Sequence, residues 1–278
     1  MSQKPRILVV DDDPALRELL SAYLADTGFA VDLAGDGAGM RAAIERAVAT
    51  QNTERANQPT ATPVTARTGI ALPADSLRVN SPDGRIEVRF GLIDGVPYYV
   101  VKRGAIDVIL PSKLGFTFLT DAPLDSNLKI VSSETASVDE TWTQPWGEVK
   151  EVRDHHNELR IELSENTAEP RTMIILFRVF DDGVGFRYEL PEQPHLADIQ
   201  IMQEETEFAL GGDHSAWWIP AFQENRYEYL YRNTPVSRLL NSAVNGVHTP
   251  LTMQTTDGLY LSIHEAALVD FSSMALQA

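Results

Sequence analysis

A chain of 278 residues can form one large or two modest domains, since a domain usually takes roughly 100–200 residues. Hydrophobic residues make up 43% of the chain, which is enough to bury a core and argues against wholesale disorder. The formal net charge of -17 argues against nucleic acid or an anionic membrane as a partner, because phosphate binding requires lysine and arginine. The chain has no cysteine, so disulfides, thiolate zinc sites and cysteine nucleophiles are excluded.

The first part of the chain alternates short apolar stretches with helix signals. Residues 7–10 are a continuous apolar run, which predicts a buried parallel strand. Pro14 suits the first turn of a helix, Asp13 is its predicted N-cap, and leucines then recur at helical spacing. A second strand over residues 29–33 and a second helix over residues 36–46 complete a β-α-β-α start of an open α/β sheet.

Two observations bear on localisation and on the first domain boundary. The apolar run of four residues is too short for a signal peptide or a membrane span, and three aspartates follow it. As encoded, the chain is therefore predicted to be cytoplasmic. Residues 1–48 form the predicted α/β fragment, and residues 49–76 form a predicted linker rich in Thr, Gln, Asn, Ala and Pro.

A different pattern begins at about Leu77 and continues to the end of the chain. Short alternating runs are separated by turn signals such as Ser-Pro-Asp-Gly at 81–84 and Asp-Asp-Gly at 181–183. The predicted strands lie at residues 77–79, 86–90, 98–101, 106–110, 174–180, 185–190, 251–253 and 259–263. The predicted fold class is mainly β, an antiparallel β-sandwich over residues 77–278 preceded by a small, incomplete β-α-β-α fragment.

The front fragment resembles the receiver domains of response regulators over about residues 5–46. The sequence RILVVDDDP at 6–14, followed by the leucine-rich helix, looks like their first strand, acidic pocket and first helix. The resemblance implies that Asp11 and Asp12 would help to hold Mg²⁺, a hard ion that takes oxygen ligands. The family's phosphate-accepting aspartate and its later hydroxyl residue and lysine have no counterpart after Arg46. We therefore expect a truncated receiver with a vestigial acidic pocket, without Mg²⁺ as a cofactor.

The later part of the chain carries a more extensive resemblance in ordered sequence blocks. They are SPDG at 81–84, PSKLG at 111–115, DETW at 139–142, PWGE at 145–148, FRVFDDGVGFRY at 177–188, AWWIP at 216–220, YEYLY at 227–231 and IHEAAL at 263–268. In this order they resemble the N-terminal domain of family 97 glycoside hydrolases, the α-glucosidase and α-galactosidase family. The resemblance implies a large β-sandwich, or super-sandwich, packed on a (β/α)₈ barrel that follows it in sequence and carries the catalytic carboxylates.

The resemblance implies a supporting role for the sandwich. Glycoside hydrolysis requires two carboxylates that flank the sugar bond, and in this family the barrel supplies them. The sequence ends at Ala278, so we expect no catalytic residue in this chain and no hydrolysis by it alone. The predicted function is carbohydrate binding and support of a (β/α)₈ catalytic domain, with an oligosaccharide as the substrate of the parent enzyme.

Several alternatives stay open on the sequence alone. The chain could instead be a regulatory protein of a phosphorelay, in which a degenerate receiver is attached to a sugar-sensing sandwich. The parent family is usually periplasmic or secreted, which conflicts with a cytoplasmic prediction, so the junction is either a genuine fusion or a mis-joined fragment. Glucoside or galactoside specificity, and retention or inversion, depend on carboxylates of the barrel.

One site residue is implied by the resemblance to family 97. Glu265, in the IHEAAL block, would help to bind Ca²⁺ beside glutamates of the barrel. Calcium takes six to eight oxygen ligands, so a site with Glu265 alone would be incomplete. The alternative is that Glu265 caps a turn or pairs with a nearby base. His264 could orient Glu265, line a sugar pocket or play a structural role.

The adjacent tryptophans Trp217 and Trp218 are further candidates. Aromatic faces suit the apolar faces of sugar rings, so the pair could line a sugar pocket. The alternative, favoured because tryptophan dominates buried contacts, places one of them in the core and the other at the interface with the barrel. The same alternatives apply to Trp142 and Trp146. The Asp-Asp-Gly sequence at 181–183 is more simply a hairpin turn than a cation site.

Overall fold

The structure is a computed structural model that describes residues 6–10, 13–26, 30–36, 39, 70–197, 199–223, 228–239, 246–269 and 271–277. Contacts divide the chain into two compact units, Met1–Thr62 and Pro63–Ala278. Each unit is described by itself.

The first unit contains a parallel pair of strands and one helix. Its elements are β1 (Arg6–Val10), α1 (Pro14–Asp26) and β2 (Ala30–Ala34). Strands β1 and β2 pair in parallel, and Asp13 Oδ1 accepts hydrogen bonds from the backbone N–H groups of Ala15 and Leu16 at 2.8 and 3.3 Å. The predicted strands, helix and N-cap are confirmed. Asp11, Asp12 and most of the predicted second helix lie outside the described residues.

The described part of the second unit is built from strands with two short 3₁₀ turns. The strands are β3 (Leu77–Asn80), β4 (Ile86–Ile93), β5 (Val96–Arg103), β6 (Ile106–Lys113), β7 (Phe116–Phe118), β8 (Leu128–Thr143), β9 (Glu151–Glu165), β10 (Thr172–Val179), β11 (Val184–Glu189), β12 (Ile201–Glu204), β13 (Ser215–Trp218), β14 (Arg232–Pro235), β15 (Val247–His248), β16 (Leu251–Gln254), β17 (Tyr260–Ile263) and β18 (Ala275–Leu276). All the pairings between them are antiparallel, which confirms the predicted mainly β fold class.

The main core lies between two four-stranded sheets, β3-β4-β5-β6 and β11-β10-β9-β8. Alternate residues of each strand point inward, so Phe90 and Tyr99 of the first sheet meet Phe177 of the second at ring-centroid distances of 6.3 and 6.0 Å. All three aromatic side chains are buried, together with Ile161 and Met173. This core is what makes the second unit a β-sandwich.

A third sheet, in the order β14-β13-β16-β17, carries the C-terminal part of the second unit. One of its faces covers a separate core formed by Ala216, Trp218, Leu251 and Met253. The short pair β15-β18 lies next to it, and Val247 of that pair bridges to Pro220, just after β13. This sheet and the short pair position the residues that the sequence singles out. None of the described helices is long and apolar enough to cross a membrane.

Candidate functional site

Glu265 lies two residues past the end of β17, where the chain leaves the third sheet. Its side chain is half-buried, and Oε2 accepts a hydrogen bond from the backbone N–H of Met274 at 3.0 Å. This bond closes the loop between β17 and β18 and holds the carboxylate at a fixed place. An ionised carboxylate offers about four lone-pair positions, so Glu265 keeps acceptor capacity for a cation beyond this bond.

His264 contacts the backbone of Glu265 and not its carboxylate. The imidazole is exposed, and its Nδ1 lies 3.0 Å from the carbonyl oxygen of Glu265. His264 can therefore help to fix the peptide that carries Glu265, while the Met274 bond fixes the side chain itself.

The described residues do not by themselves form a calcium shell. Among them, no group of three or more histidine, cysteine, aspartate and glutamate side chains is arranged to hold a metal ion. Calcium requires six to eight oxygens, of which Glu265 can provide one or two. Glu265 would suit such a site as one ligand, and the remaining ligands would have to come from outside the described residues.

Several large apolar side chains in the last part of the second unit are exposed. In the loop after Glu265, Leu268, Val269 and Phe271 are 52%, 74% and 46% exposed. Phe222 is 67% exposed, and its ring lies beside Gly246, which leads into β15. The loop of Glu265 returns to the same strand pair through β18, so we call Phe222, Leu268, Val269 and Phe271 the apolar rim. Exposed apolar side chains that form a patch mark interaction sites in many proteins.

Phe222 adopts a backbone conformation that disfavours its side chain. Its φ of 58° is in the left-handed region, which bulky residues rarely occupy and which costs about 1–3 kcal/mol. An exposed aromatic residue held in this conformation contributes little to the fold of the second unit.

Replacing Phe222 by glycine is expected to raise the free energy of unfolding by about 1 kcal/mol, because glycine adopts the left-handed region without steric cost. Urea unfolding followed by circular dichroism measures this change. Leu119→Gly is the matched control, since Leu119 is 55% exposed and is not among the residues with positive φ, and it should be destabilising. A Phe222→Gly protein that unfolds more easily than the parent would show that the Phe222 side chain stabilises the fold by more than its backbone conformation costs.

The two adjacent tryptophans point to opposite faces of the third sheet. Trp218 is fully buried, donates from Nε1 to Thr234 Oγ1 at 3.0 Å, and lies under the guanidinium group of Arg232 at 5.1 Å. It is a core residue, which agrees with the favoured alternative that one of the two tryptophans packs in the core and corrects the sugar-pocket alternative for Trp218. Trp217 is half-buried on the other face, and its ring centroid lies 6.3 Å from that of Tyr260, with an angle of 21° between the rings.

Tyr260 was not singled out by the sequence. Its position at the start of β17, two residues before Ser262 on the same face, is the signal that could have indicated an outward-facing aromatic residue.

The Asp-Asp-Gly sequence is explained by the fold, whereas Trp142 and Trp146 are exposed. The backbone N–H of Phe180 donates to the carbonyl oxygen of Gly183 at 2.8 Å, which confirms the hairpin turn between β10 and β11. Arg178 pairs with Glu158 at 2.9 Å on the sheet surface, where such pairs contribute little. Trp142 and Trp146, at the far end of β8, are 50% and 85% exposed.

A polar cleft of about 300 Å³ opens beside β3, β8 and β9. Its lining groups largely satisfy one another: Asn157 donates to the carbonyl oxygen of Asn80 at 2.8 Å, Ser137 donates to Asn157 at 2.6 Å, and Arg78 lies 3.4 Å from Glu87. The cleft is lined by no aromatic ring, so it is a weaker candidate for a sugar site than the face that carries Trp217 and Tyr260.

Similarity to solved structures defines the class of this sandwich. An enzyme of glycoside hydrolase family 97 from Pseudoalteromonas sp. strain K8, solved in complex with panose, is 42% identical with a TM-score of 0.68, over 73% of this chain and 30% of that chain. A β-arabinopyranosidase structure, 20% identical with a TM-score of 0.60 over 69% of this chain and 32% of that chain, shares the fold. The second unit is therefore a β-sandwich of the kind found in glycoside hydrolases.

The family follows from the sequence match. The family model described as "Glycosyl-hydrolase 97 N-terminal" matches residues 79–278, and the chain belongs to this family. A retaining alpha-galactosidase of Bacteroides thetaiotaomicron is 21% identical over 210 residues, which cover 71% of this chain and 30% of that protein. The chain thus spans about 30% of the length of these relatives.

A second, short similarity concerns a regulatory protein. A stretch of 36 residues is 58% identical to the transcriptional regulatory protein AruR of Pseudomonas aeruginosa, covering 13% of this chain and 15% of that protein. This match is compatible with the resemblance of the front fragment to receiver domains, and it is too short to establish a function.

Proposed function

We propose that the sandwich supports a glycosidase active site by presenting Glu265 to a catalytic domain. The observation that carries this proposal is the place of Glu265, held by Met274 just past the end of β17 in a loop whose apolar side chains Leu268 and Val269 are exposed. Glu265 supplies a fixed carboxylate, and the rim supplies the apolar surface that a partner domain would bury. The relatives include an alpha-galactosidase and an enzyme in complex with panose, so an oligosaccharide is the proposed substrate class.

The residues of this chain have defined tasks in the proposed mechanism. The N–H of Met274 occupies one position of the Glu265 carboxylate, and the other lone pairs of the carboxylate could bind a cation. The bond of His264 to the Glu265 carbonyl fixes the peptide beneath it. A calcium ion, when bound by Glu265 and by carboxylates of the catalytic domain, would supply positive charge beside the sugar oxygens.

A chimeric enzyme tests the proposal. Residues 79–278 of this chain replace the corresponding region of the Pseudoalteromonas enzyme, and release of glucose from panose is followed in the presence of calcium. We expect Glu265→Gln to lower kcat by about 10–100-fold, because changes around a metal typically cost that much. Glu134→Gln, a change of an exposed glutamate in β8, is the matched control and should leave kcat unchanged. An active chimera with equal kcat in both variants would overturn the role of Glu265.

For the first unit we infer a receiver-like origin without phosphoryl transfer. The parallel pairing of β1 with β2 and the capped helix between them are the observations that favour a βαβ start of that kind. The sequence between Arg46 and Leu77 offers no strand that ends in an acceptor aspartate. A regulatory role therefore rests on the short similarity to AruR alone and is the weaker candidate.

A further inference from the structure

The outer face of the third sheet is a second surface with the composition of a ligand site. Strand registers place eight side chains on the side opposite the Trp218 core. They are Ser215, Trp217, Asn233, Pro235, Thr252, Gln254, Tyr260 and Ser262, and we call them the outer face.

The outer face carries no charged side chain. Charged residues make up 23% of the chain, whose formal net charge is -17, so an uncharged sheet face is unusual for this molecule. Its polar members are hydroxyl and amide groups, which both donate and accept hydrogen bonds. Such a face favours a neutral ligand with many hydroxyl groups over a charged one.

Two aromatic rings form the centre of the outer face. Trp217 of β13 reaches across β16 to Tyr260 of β17, which is 61% exposed, and the two ring planes differ by 21°. The two rings are stacked on each other, and the Tyr260 side chain keeps an aromatic surface open to solvent. The C–H groups of a pyranose ring form an apolar face that stacks on such a surface, while the ring hydroxyls point to its edges.

Hydroxyl and amide groups border the rings on the neighbouring strands. Thr252 Oγ1 and Ser262 Oγ lie 3.0 Å apart, and Ser215 Oγ donates to Asn233 Oδ1 at 3.1 Å. Gln254 pairs in register with Tyr260 and points to the same side. Sugar hydroxyls that approach the rings would therefore meet neutral donors and acceptors.

A protein partner fits the outer face less well. The buried centre of a protein interface is depleted of serine and is usually apolar, whereas this face has two serines, a threonine and two amides around its rings. The apolar rim has the apolar side chains that the centre of a protein interface usually contains. Along β17, Tyr260 stands at the start of the strand, whereas Glu265 lies two residues beyond its end.

We propose that the outer face binds a neutral, α-linked oligosaccharide, with Trp217 and Tyr260 stacking on its sugar rings. The inference rests on the proposed function in one respect, the choice of an oligosaccharide as ligand. It assigns this chain a glycan site of its own, apart from the Glu265 site. The outer face would hold a polymeric substrate on the enzyme, away from the reacting bond.

Titration of the full chain with maltoheptaose, followed by calorimetry and tryptophan fluorescence, tests this site. We expect saturable binding that Trp217→Ala and Tyr260→Ala each weaken by about tenfold or more, the loss of one ring–ligand stack. Tyr260→Phe and Trp217→Phe keep an aromatic surface and should retain most of the affinity. Trp146→Ala is the control, since that side chain is 85% exposed and lies outside the outer face. Thermal unfolding of each variant verifies that it is folded.

The possible results separate this site from the Glu265 proposal. Binding of maltoheptaose with unchanged affinity by both folded alanine variants would overturn the outer-face site. Failure of the full chain to bind maltoheptaose would overturn it as well. The same holds if Trp217→Ala and Tyr260→Ala change the self-association of the protein but not its affinity for maltoheptaose. None of these results changes the expected effect of Glu265→Gln in the chimera. Likewise, if Glu265→Gln left kcat of the chimera unchanged, the expected binding of maltoheptaose to the full chain would be unaffected.

Discussion

Replacing Arg171 by alanine is expected to lower the free energy of unfolding of the second unit by about 3–5 kcal/mol, the cost of leaving a buried charge unpaired. The Arg171 side chain is 8% exposed, and its guanidinium group binds both carboxylate oxygens of Glu165 at 2.6 and 2.8 Å. It also donates to the carbonyl oxygens of Ala122 and Pro123 at 2.7 and 2.9 Å. One side chain thus joins the β9–β10 connection to the segment before β8.

Chemical denaturation with an exposed pair as control measures this effect. Arg153 and Asp139 form a hydrogen-bonded pair with side chains 59% and 56% exposed, so Arg153→Ala should cost less than about 1 kcal/mol. The double variant Arg171→Met with Glu165→Leu should lose less than the sum of the two single changes, because it leaves no unpaired charge. Equal small losses for Arg171→Ala and Arg153→Ala would show that the buried pair does not hold the fold.

The same pair gives the protein an acid-sensitive component of stability. Hydrogen bonds from Arg171 hold the pKa of Glu165 below its ordinary value. A carboxylate with a lowered folded pKa stabilises the fold above its unfolded pKa of about 4.3, and this stabilisation is lost as the pH falls through the folded pKa. In the Glu165→Gln variant, the free energy of unfolding should therefore fall less steeply than in the parent as the pH drops below about 4.3.

Trp218→Ala is the second change with a large expected effect, about 3–5 kcal/mol, because it opens a cavity in the core of the third sheet. Trp218 is fully buried, packs with Leu251 and Met253, and its indole N–H bonds to Thr234. Removing the ring also leaves the Thr234 hydroxyl without this donor. Fluorescence-detected unfolding reports the change directly.

Trp142→Ala provides the comparison for Trp218, since Trp142 is 50% exposed at the end of β8. Its loss should change the free energy of unfolding by less than about 1 kcal/mol, as for most surface substitutions. A Trp218→Ala protein as stable as Trp142→Ala would contradict the placement of Trp218 in the core. A disproportionate loss in Trp142→Ala would show instead that β8 is buried against a part of the molecule not described.

Local patterns predicted the strands that alternate or end in clear turns. The hairpin between β10 and β11 and the strands β3 to β6 were predicted because apolar residues recur at every second position between Gly and Asp turns. The two longest strands, β8 and β9, were missed. Most of Leu128–Thr143 is exposed and rich in Ser, Thr and Glu, so the strand has no apolar alternation to detect.

The candidate sites show a similar limit of sequence reasoning. Trp217 and Trp218 are neighbours on a strand, and the period of two already requires them to face opposite sides. Which one is buried depends on the core between the third sheet and the segments around Leu239 and Val247. Tyr260 becomes the partner of Trp217 only through the strand order β13-β16-β17, which brings together residues 43 positions apart in the chain. Likewise, the contact of Arg171 with Ala122 spans 49 residues.

The calcium affinity of the chimeric enzyme tests the central claim most directly. Calorimetric titration of the calcium-free chimera compares the parent with Glu265→Gln and with the control Glu134→Gln. If the sandwich completes the metal site, Glu265→Gln binds calcium at least about 10–100-fold more weakly, and Glu134→Gln binds it like the parent. Equal calcium affinity in all three proteins would contradict the claim that this domain contributes Glu265 to the active site.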